Sequence, residues 1–349
     1  MLKKAKLRTL RFAAQAGVSR WLADSSWRRS RLLILCYHGI SRYDEHEWDN
    51  VYMPAETLRR RMQLLVEERC NVLPLTEAVS RLQQGTLPPR AVTITFDDGW
   101  HDFYSVAFPL IESFGFPVTL YLTTYYVDFN RPVFDPMVSY LLWKGRHRQV
   151  LRWPEVFAAP VALHTAGRQV ATATIRAHAR THGLSATEKD QLLARLARCL
   201  GIDYEELCRK RILHLITGEE ARELAARKLD LEYHTHRHCV YRSRERMLAD
   251  LDENRERLEG YTSIPAQHFC YASGVYLPEH VEYLKAYGIR SATTCRRGLC
   301  TARTNPLLLP RFIDTMTTPE LEFRAWLSGT ASWLPQRREV MDPRQRIEA

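Results

Sequence analysis

The chain alternates between short uninterrupted apolar runs and longer stretches in which apolar residues recur every three or four positions. The runs are Arg31-Leu-Leu-Ile-Leu-Cys-Tyr37, Asn71-Val-Leu-Pro-Leu75, Ala91-Val-Thr-Ile-Thr-Phe96, Pro117-Val-Thr-Leu-Tyr-Leu-Thr123, Leu229–Tyr233, Phe269–Tyr271 and Ser291–Thr294. Such runs, several of them β-branched and none strictly alternating, predict strands covered on both faces, as in a parallel sheet. Between them, Leu58, Met62, Leu64 and Leu65 predict a helix over 54–68, and a second helix runs from Thr76, the expected N-cap, to Gln84 before Gly85. Further helices are predicted over 104–114, 244–261 and 278–287. Strand and helix in alternation make βαβ units, so the expected class is α/β.

One barrel domain is expected over 31–334, with a mostly helical insertion at about 128–227, where Trp143, Trp153 and dense Arg and Ala change the texture. Residues 335–349 read as a charged tail. Residues 1–30 read as one basic amphipathic helix, with Leu7, Leu10, Phe12, Val18, Trp21 and Leu22 among Lys3, Lys4, Lys6, Arg8, Arg11 and Arg20. Two roles are open to it: packing on the domain, or peripheral contact with an anionic membrane.

With 45% hydrophobic and 26% charged residues, disorder is excluded as the main state. No apolar run reaches the roughly 18 residues of a membrane span. Eight cysteines form no compact framework and no C-x-x-C pair, which suits a reducing compartment. The N-terminus lacks the uninterrupted apolar core of a cleavable signal, so a cytoplasmic location is expected, at most on the inner membrane face. The net charge of +10 reads as dispersed and not interleaved with aromatics, so nucleic acid is not an expected partner.

The candidate chemistry sits at predicted strand ends. Asp97-Asp98-Gly99 follows the Ala91–Phe96 strand: one carboxylate can hold a metal while the other serves as base, although Asp and Gly also make ordinary turns. His234 and His238 lie four apart, which on one helical turn aims both imidazoles at one cation, with His236 facing elsewhere. One carboxylate and two imidazoles leave coordination positions open, as a hydrolytic metal site requires.

The succession Tyr37-His38, Thr95-Phe96-Asp97-Asp98-Gly99, His234-Thr235-x-x-His238, Phe269-Cys-Tyr-Ala-Ser-Gly274 and Leu309-Pro-Arg311 resembles the polysaccharide deacetylase family (carbohydrate esterase family 4), whose shared region is the NodB homology domain. The resemblance covers about residues 31 to 315. It implies a distorted (β/α) barrel that hydrolyses N-acetyl, less often O-acetyl, groups on the sugars of a polysaccharide, oligosaccharide or lipid-linked glycan. It further implies Asp98, His234 and His238 as ligands of a divalent metal, zinc or else cobalt, nickel or manganese. Asp97 is then the general base, Arg311 its orienting partner, and Thr235 a residue that steadies the metal-binding turn. No histidine follows His280, so the late histidine many members use as acid is absent, and His38 fills that role, as in the circularly permuted subset that includes exopolysaccharide deacetylases. Substrate contacts are expected from Trp100, Tyr271 and Ser273, with a backbone N–H of 271–273 as an oxyanion donor; His101, Tyr104, Tyr125 and Tyr126 are stacking candidates or core. The chain has Tyr271-Ala272 where the family commonly has Tyr-Pro, which loosens that loop. Two other readings stay open: an amidohydrolase for small cyclic amides, and a catalytically silent glycan-binding barrel.

Overall fold

The structure is a computed structural model and describes residues 2–334 and 347–348. Eight strands form one parallel sheet: β1 Leu33–Tyr37, β2 Asn71–Val72, β3 Ala91–Asp98, β4 Thr119–Leu122, β5 Asp230–Tyr233, β6 His268–Cys270, β7 Ser291–Thr293 and β8 Phe312–Ile313. Their order is β7-β6-β5-β4-β3-β1-β8, with β2 beside the start of β3. The segment before β8 ties the two edges together. Leu309 donates to Ala292 O at 2.8 Å and accepts from Thr294 N–H at 2.9 Å, while Phe312 pairs with Leu35 of β1. The sheet therefore curls into a distorted barrel, and the first and last strands are neighbours. Because every strand is parallel, all exit at one end, where α/β folds gather their chemistry. Residues 33–37 and 119–122 are buried throughout, which explains their unbroken apolar character.

The helices used below are α1 Leu2–Gln15, α2 Val18–Asp24, α3 Ala55–Glu67, α4 Leu75–Gln84, α5 Arg244–Glu259, α6 Pro278–Tyr287 and α7 Glu320–Ser328. Three expectations are corrected. The N-terminal stretch is not one helix: Gly17 at φ 74° breaks it between α1 and α2, and Ser26–Arg29 forms a third short turn. The stretch expected as a helix over 104–114 opens as a π-turn at Phe103–Ala107 before a regular turn at Phe108–Glu112. Pro109 cannot return an N–H to Ser105, and Phe108 N–H reaches back to Phe103 O instead. Thr76 is not the N-cap of α4, which starts at Leu75 after Pro74; its hydroxyl lies 3.0 Å from His268 Nε2.

His268 is 1% exposed, with Ser291 Oγ 2.7 Å from its Nδ1. Burial, helped by nearby Arg290, pushes its pKa down to about 4. The unfolded chain takes up a proton near pH 6.5 that the native state refuses until about pH 4. This neutral histidine therefore contributes stability above pH 6.5 that is lost as pH falls toward 4, roughly 3 kcal/mol. His268→Asn is expected to flatten the stability slope over that window, as read by denaturant unfolding at stepped pH. An unchanged slope assigns the acid lability elsewhere.

Between β4 and β5 the chain forms helices Phe134–Lys144, Thr165–Thr181, Ala186–Leu200, Tyr204–Arg209 and Gly218–Ala226 and a hairpin of Val150–Leu151 with Val161–Ala162. Its end runs against the loop after β3: His101 N–H donates to His214 O and Ile216 N–H to Gly99 O. This segment thus walls the strand-exit end. Of the expected tail, Ile347–Glu348 pairs with Val240–Tyr241, and the rest lies outside the described residues. No described helix is long and apolar enough to cross a membrane.

Candidate active site

Asp97 and Asp98 end β3, and the turn there is forced. Asp98 has φ 74° and Gly99 φ 92°, and a Cβ on Gly99 would lie 2.2 Å from Leu122 Cδ1, so a side chain at 99 would be both strained and in collision. The two carboxylates consequently face different surroundings. Asp98 Oδ1 lies 3.1 Å from His234 Nε2 and 3.3 Å from His238 Nε2. Its other oxygen, Oδ2, accepts the Trp100 indole N–H at 2.9 Å. Trp100, expected as a sugar platform, is 7% exposed and serves to aim the carboxylate.

His234–His238 is not a helical turn. Thr235 and His238 have φ 65° and 52°, and the five residues form an irregular loop. Buried groups of α5 hold this strained backbone. Asp250 accepts from the N–H groups of His236 at 2.7 Å and Arg237 at 3.2 Å; Asn254 accepts from His234 N–H and donates to Leu122 O and Thr124 Oγ1. The Thr235 hydroxyl is buried without a partner among the described residues, so the steadying expected of it comes from Asp250 and Asn254. His236 faces away, its Nδ1 2.8 Å from Thr124 Oγ1.

The donor set fits a divalent cation. His234 Nδ1 lies 2.9 Å from Cys270 O, which fixes that nitrogen as the donor and leaves Nε2 with a lone pair. A lone pair facing the Asp98 carboxylate at 3.1 Å is repulsive unless positive charge sits between them. Burial disfavours charge on the His234 ring, yet Cys270, Asp98 and Asp97 outweigh burial and raise its pKa well above the ordinary value, so positive charge, whether a ring proton or a bound cation, is favoured between His234 and Asp98. Asp98 Oδ1, His234 Nε2 and His238 Nε2 lie within 4.8 Å of one another, as common ligands must. Replacing Trp100 by Phe keeps the ring but removes the hydrogen bond on Asp98. It is expected to weaken zinc affinity at least tenfold in chelator competition; unchanged affinity would show that Asp98 needs no such support.

Asp97 points into the barrel and is 3% exposed. Arg311, fully buried, meets it with two parallel bonds of 2.7 Å and is itself tied to Thr294 O at 3.1 Å. Burial alone would raise the Asp97 pKa; the guanidinium overrides it and holds the carboxyl well below the usual range. His38, at the exit of β1, places Nε2 3.8 Å from Asp97 Oδ2 with its side chain 21% exposed, and Ile40 N–H, two residues on, is anchored on Asp102 Oδ1 at 2.7 Å. Sequence reasoning missed Cys36 and Cys270, whose sulfurs lie 3.6 and 3.4 Å from Asp97 Oδ2. Both are strand-end residues beside recognised motifs, which is the signal that could have found them.

The remaining candidates divide. Ser273 is exposed at the exit of β6, with φ 54°. Tyr271 is 2% exposed against Phe269 and Tyr276, and its own N–H is taken by Thr293 O at 3.1 Å, which leaves Ala272 and Ser273 as oxyanion candidates. His101 and Tyr104 pair with Glu220 and Glu223. Tyr125 and Tyr126 are half-buried, Tyr125 under the Arg237 guanidinium.

Comparison with known proteins bears on the fold and the family. The chain is 27% identical over 99 residues to a poly-β-1,6-N-acetyl-D-glucosamine N-deacetylase of Escherichia coli, a match spanning 28% of this chain and 14% of that protein. Its fold is similar to that of the Streptococcus pyogenes deacetylase PplD in complex with acetate (TM-score 0.54, 16% identity, 82% of this chain and 93% of that one) and of IcaB from Ammonifex degensii (TM-score 0.55, 15% identity, 86% and 97%). The family model described as polysaccharide deacetylase matches residues 84–292, more than half of the sequence and the span from Thr95–Gly99 through Phe269–Gly274, and the chain belongs to that family.

Proposed function

We propose that this protein is a metal-dependent N-deacetylase that hydrolyses the acetamide of N-acetylated sugar units in a glycan. The observation that carries the reading is the convergence of Asp98, His234 and His238 on one point, with a second carboxylate, Asp97, locked beside them by Arg311. An N-acetylglucosamine polymer is the favoured substrate class, in line with the name of the Escherichia coli relative. Zinc suits a set of one oxygen and two nitrogen ligands.

Asp98 Oδ1, His234 Nε2 and His238 Nε2 would hold a divalent ion, which when bound would supply Lewis acidity to the acetamide carbonyl and to the attacking water. Asp97, kept ionised by Arg311, removes a proton from that water as it adds to the carbonyl carbon. The backbone N–H of Ala272 or Ser273 stabilises the developing oxyanion. His38 delivers a proton to the departing nitrogen as the C–N bond breaks, and the products are acetate and a free amine. A silent glycan binder has no use for a buried base with a dedicated arginine.

The test is acetate release, with a matching gain of primary amine, from N-acetylglucosamine oligomers treated with zinc-loaded protein. Release that stops on chelation and returns with zinc supports the reading. No release from loaded protein, with turnover of cyclic amides instead, replaces it.

A further inference from the structure

Lys and Arg are dispersed along the chain, but acids offset them nearly everywhere except at its start, so the net charge of +10 is not dispersed as the sequence alone suggested. Residues 1–31 contain nine Lys and Arg against the single acid Asp24, a net of +8 out of the chain's +10, so the remaining residues are almost balanced. In the fold this segment forms a layer with the end of the chain. Lys6 pairs with Glu322 of α7 at 2.8 Å, Ser19 Oγ meets Thr330 Oγ1 at 3.4 Å, and Trp27 meets Trp333 edge-on at 5.7 Å. Leu10 and Leu22 face inward, 2% and 1% exposed. The outward face carries Arg8, Arg11 and Arg20, none with an acidic partner among the described residues, and Phe12, Trp21 and Trp333, exposed by 72%, 68% and 54%. Among the described residues these three are the only largely exposed Phe or Trp side chains.

We propose that this layer docks on an anionic lipid surface. Arginine supplies attraction to acidic head groups, and exposed Trp and Phe prefer the boundary between head groups and acyl chains; the two together are what distinguish a bilayer-seeking surface from a merely solvated helix. The layer touches the barrel near the strand starts: buried Arg28 donates to Ala91 O at the first residue of β3, and Asp24 binds Arg90 at 2.7 Å. Asp97 and Asp98 lie at the other end of β3, roughly 20 Å away for eight residues of strand. Docked through this layer, the protein keeps its catalytic end free.

The test is flotation with vesicles of phosphatidylcholine alone and of phosphatidylcholine with 30% phosphatidylglycerol, roughly an anionic bacterial surface. Wild type is compared with R8E/R11E/R20E and with F12S/W21S. Expected is at least tenfold stronger binding to the anionic vesicles, weakened by salt as surface electrostatics requires, and reduced at least tenfold in each variant. Thermal unfolding and turnover of a soluble substrate stay unchanged, which shows that the variants fold. No preference for anionic vesicles, or full binding by either folded variant, overturns the proposal. So does tighter binding of a duplex oligonucleotide than of vesicles, or self-association without lipid that the same substitutions abolish.

Discussion

Asp97→Asn is expected to lower kcat about a thousandfold while zinc stays bound, because the three ligands are untouched and the proton acceptor for the attacking water is gone. The amide keeps one acceptor oxygen for Arg311 but turns an N–H₂ toward the second guanidinium nitrogen, where the wild type has a 2.7 Å bond. A buried guanidinium without its counter-charge is costly, so the variant should also melt at a lower temperature. Zinc stoichiometry and circular dichroism therefore accompany the kinetics. A folded, zinc-loaded variant with wild-type kcat would remove Asp97 from the role of base.

Arg311→Met is expected to cost about 3–5 kcal/mol of stability, the largest effect among these predictions on the fold itself, since it strands a carboxylate that is 3% exposed. Chemical denaturation measures it. The kinetic consequence separates positioning from bulk packing. Burial pushes the Asp97 pKa up and Arg311 pulls it down, so removing Arg311 moves the carboxyl pKa upward. Turnover needs the ionised form, and the acid limb of the kcat/KM profile should shift to higher pH. Arg311→Lys, with one charge but no planar fork, should restore part of the shift and less of the stability. A destabilised variant whose acid limb does not move would leave Arg311 a structural residue only.

The thiols beside Asp97 illustrate how far a chain can be read in one dimension. Cys36, Asp97 and Cys270 come from β1, β3 and β6, and nothing in the spacing of 61 and 173 residues brings their side chains together. Strand-end position was legible for each; that the curled sheet aims all three at one volume was not. Asp250 and Asn254 lie in the helix predicted over 244–261 and nothing local marks them, yet they hold the loop that carries both candidate ligand imidazoles. Trp100 looked like a sugar platform, and the walling segment from the insertion covers it.

What the sequence by itself determined is local. Unbroken apolar runs mark strands buried on both faces, α6 runs over the predicted 278–287, and Asp97, Asp98, His234 and His238 declare themselves because short-range spacing within a motif survives any folding of the rest. What only the tertiary structure decided is conformation held by distant groups. A spacing of four fits a helical turn and an irregular loop equally well; the loop wins because α5 satisfies its N–H groups and so supports left-handed Thr235 and His238, a cost no local interaction would repay. Likewise Arg311 reaches Asp97 across 214 residues because the segment between β7 and β8 closes the barrel, and hydrogen bonding between its first and last strands is a property of the closed sheet.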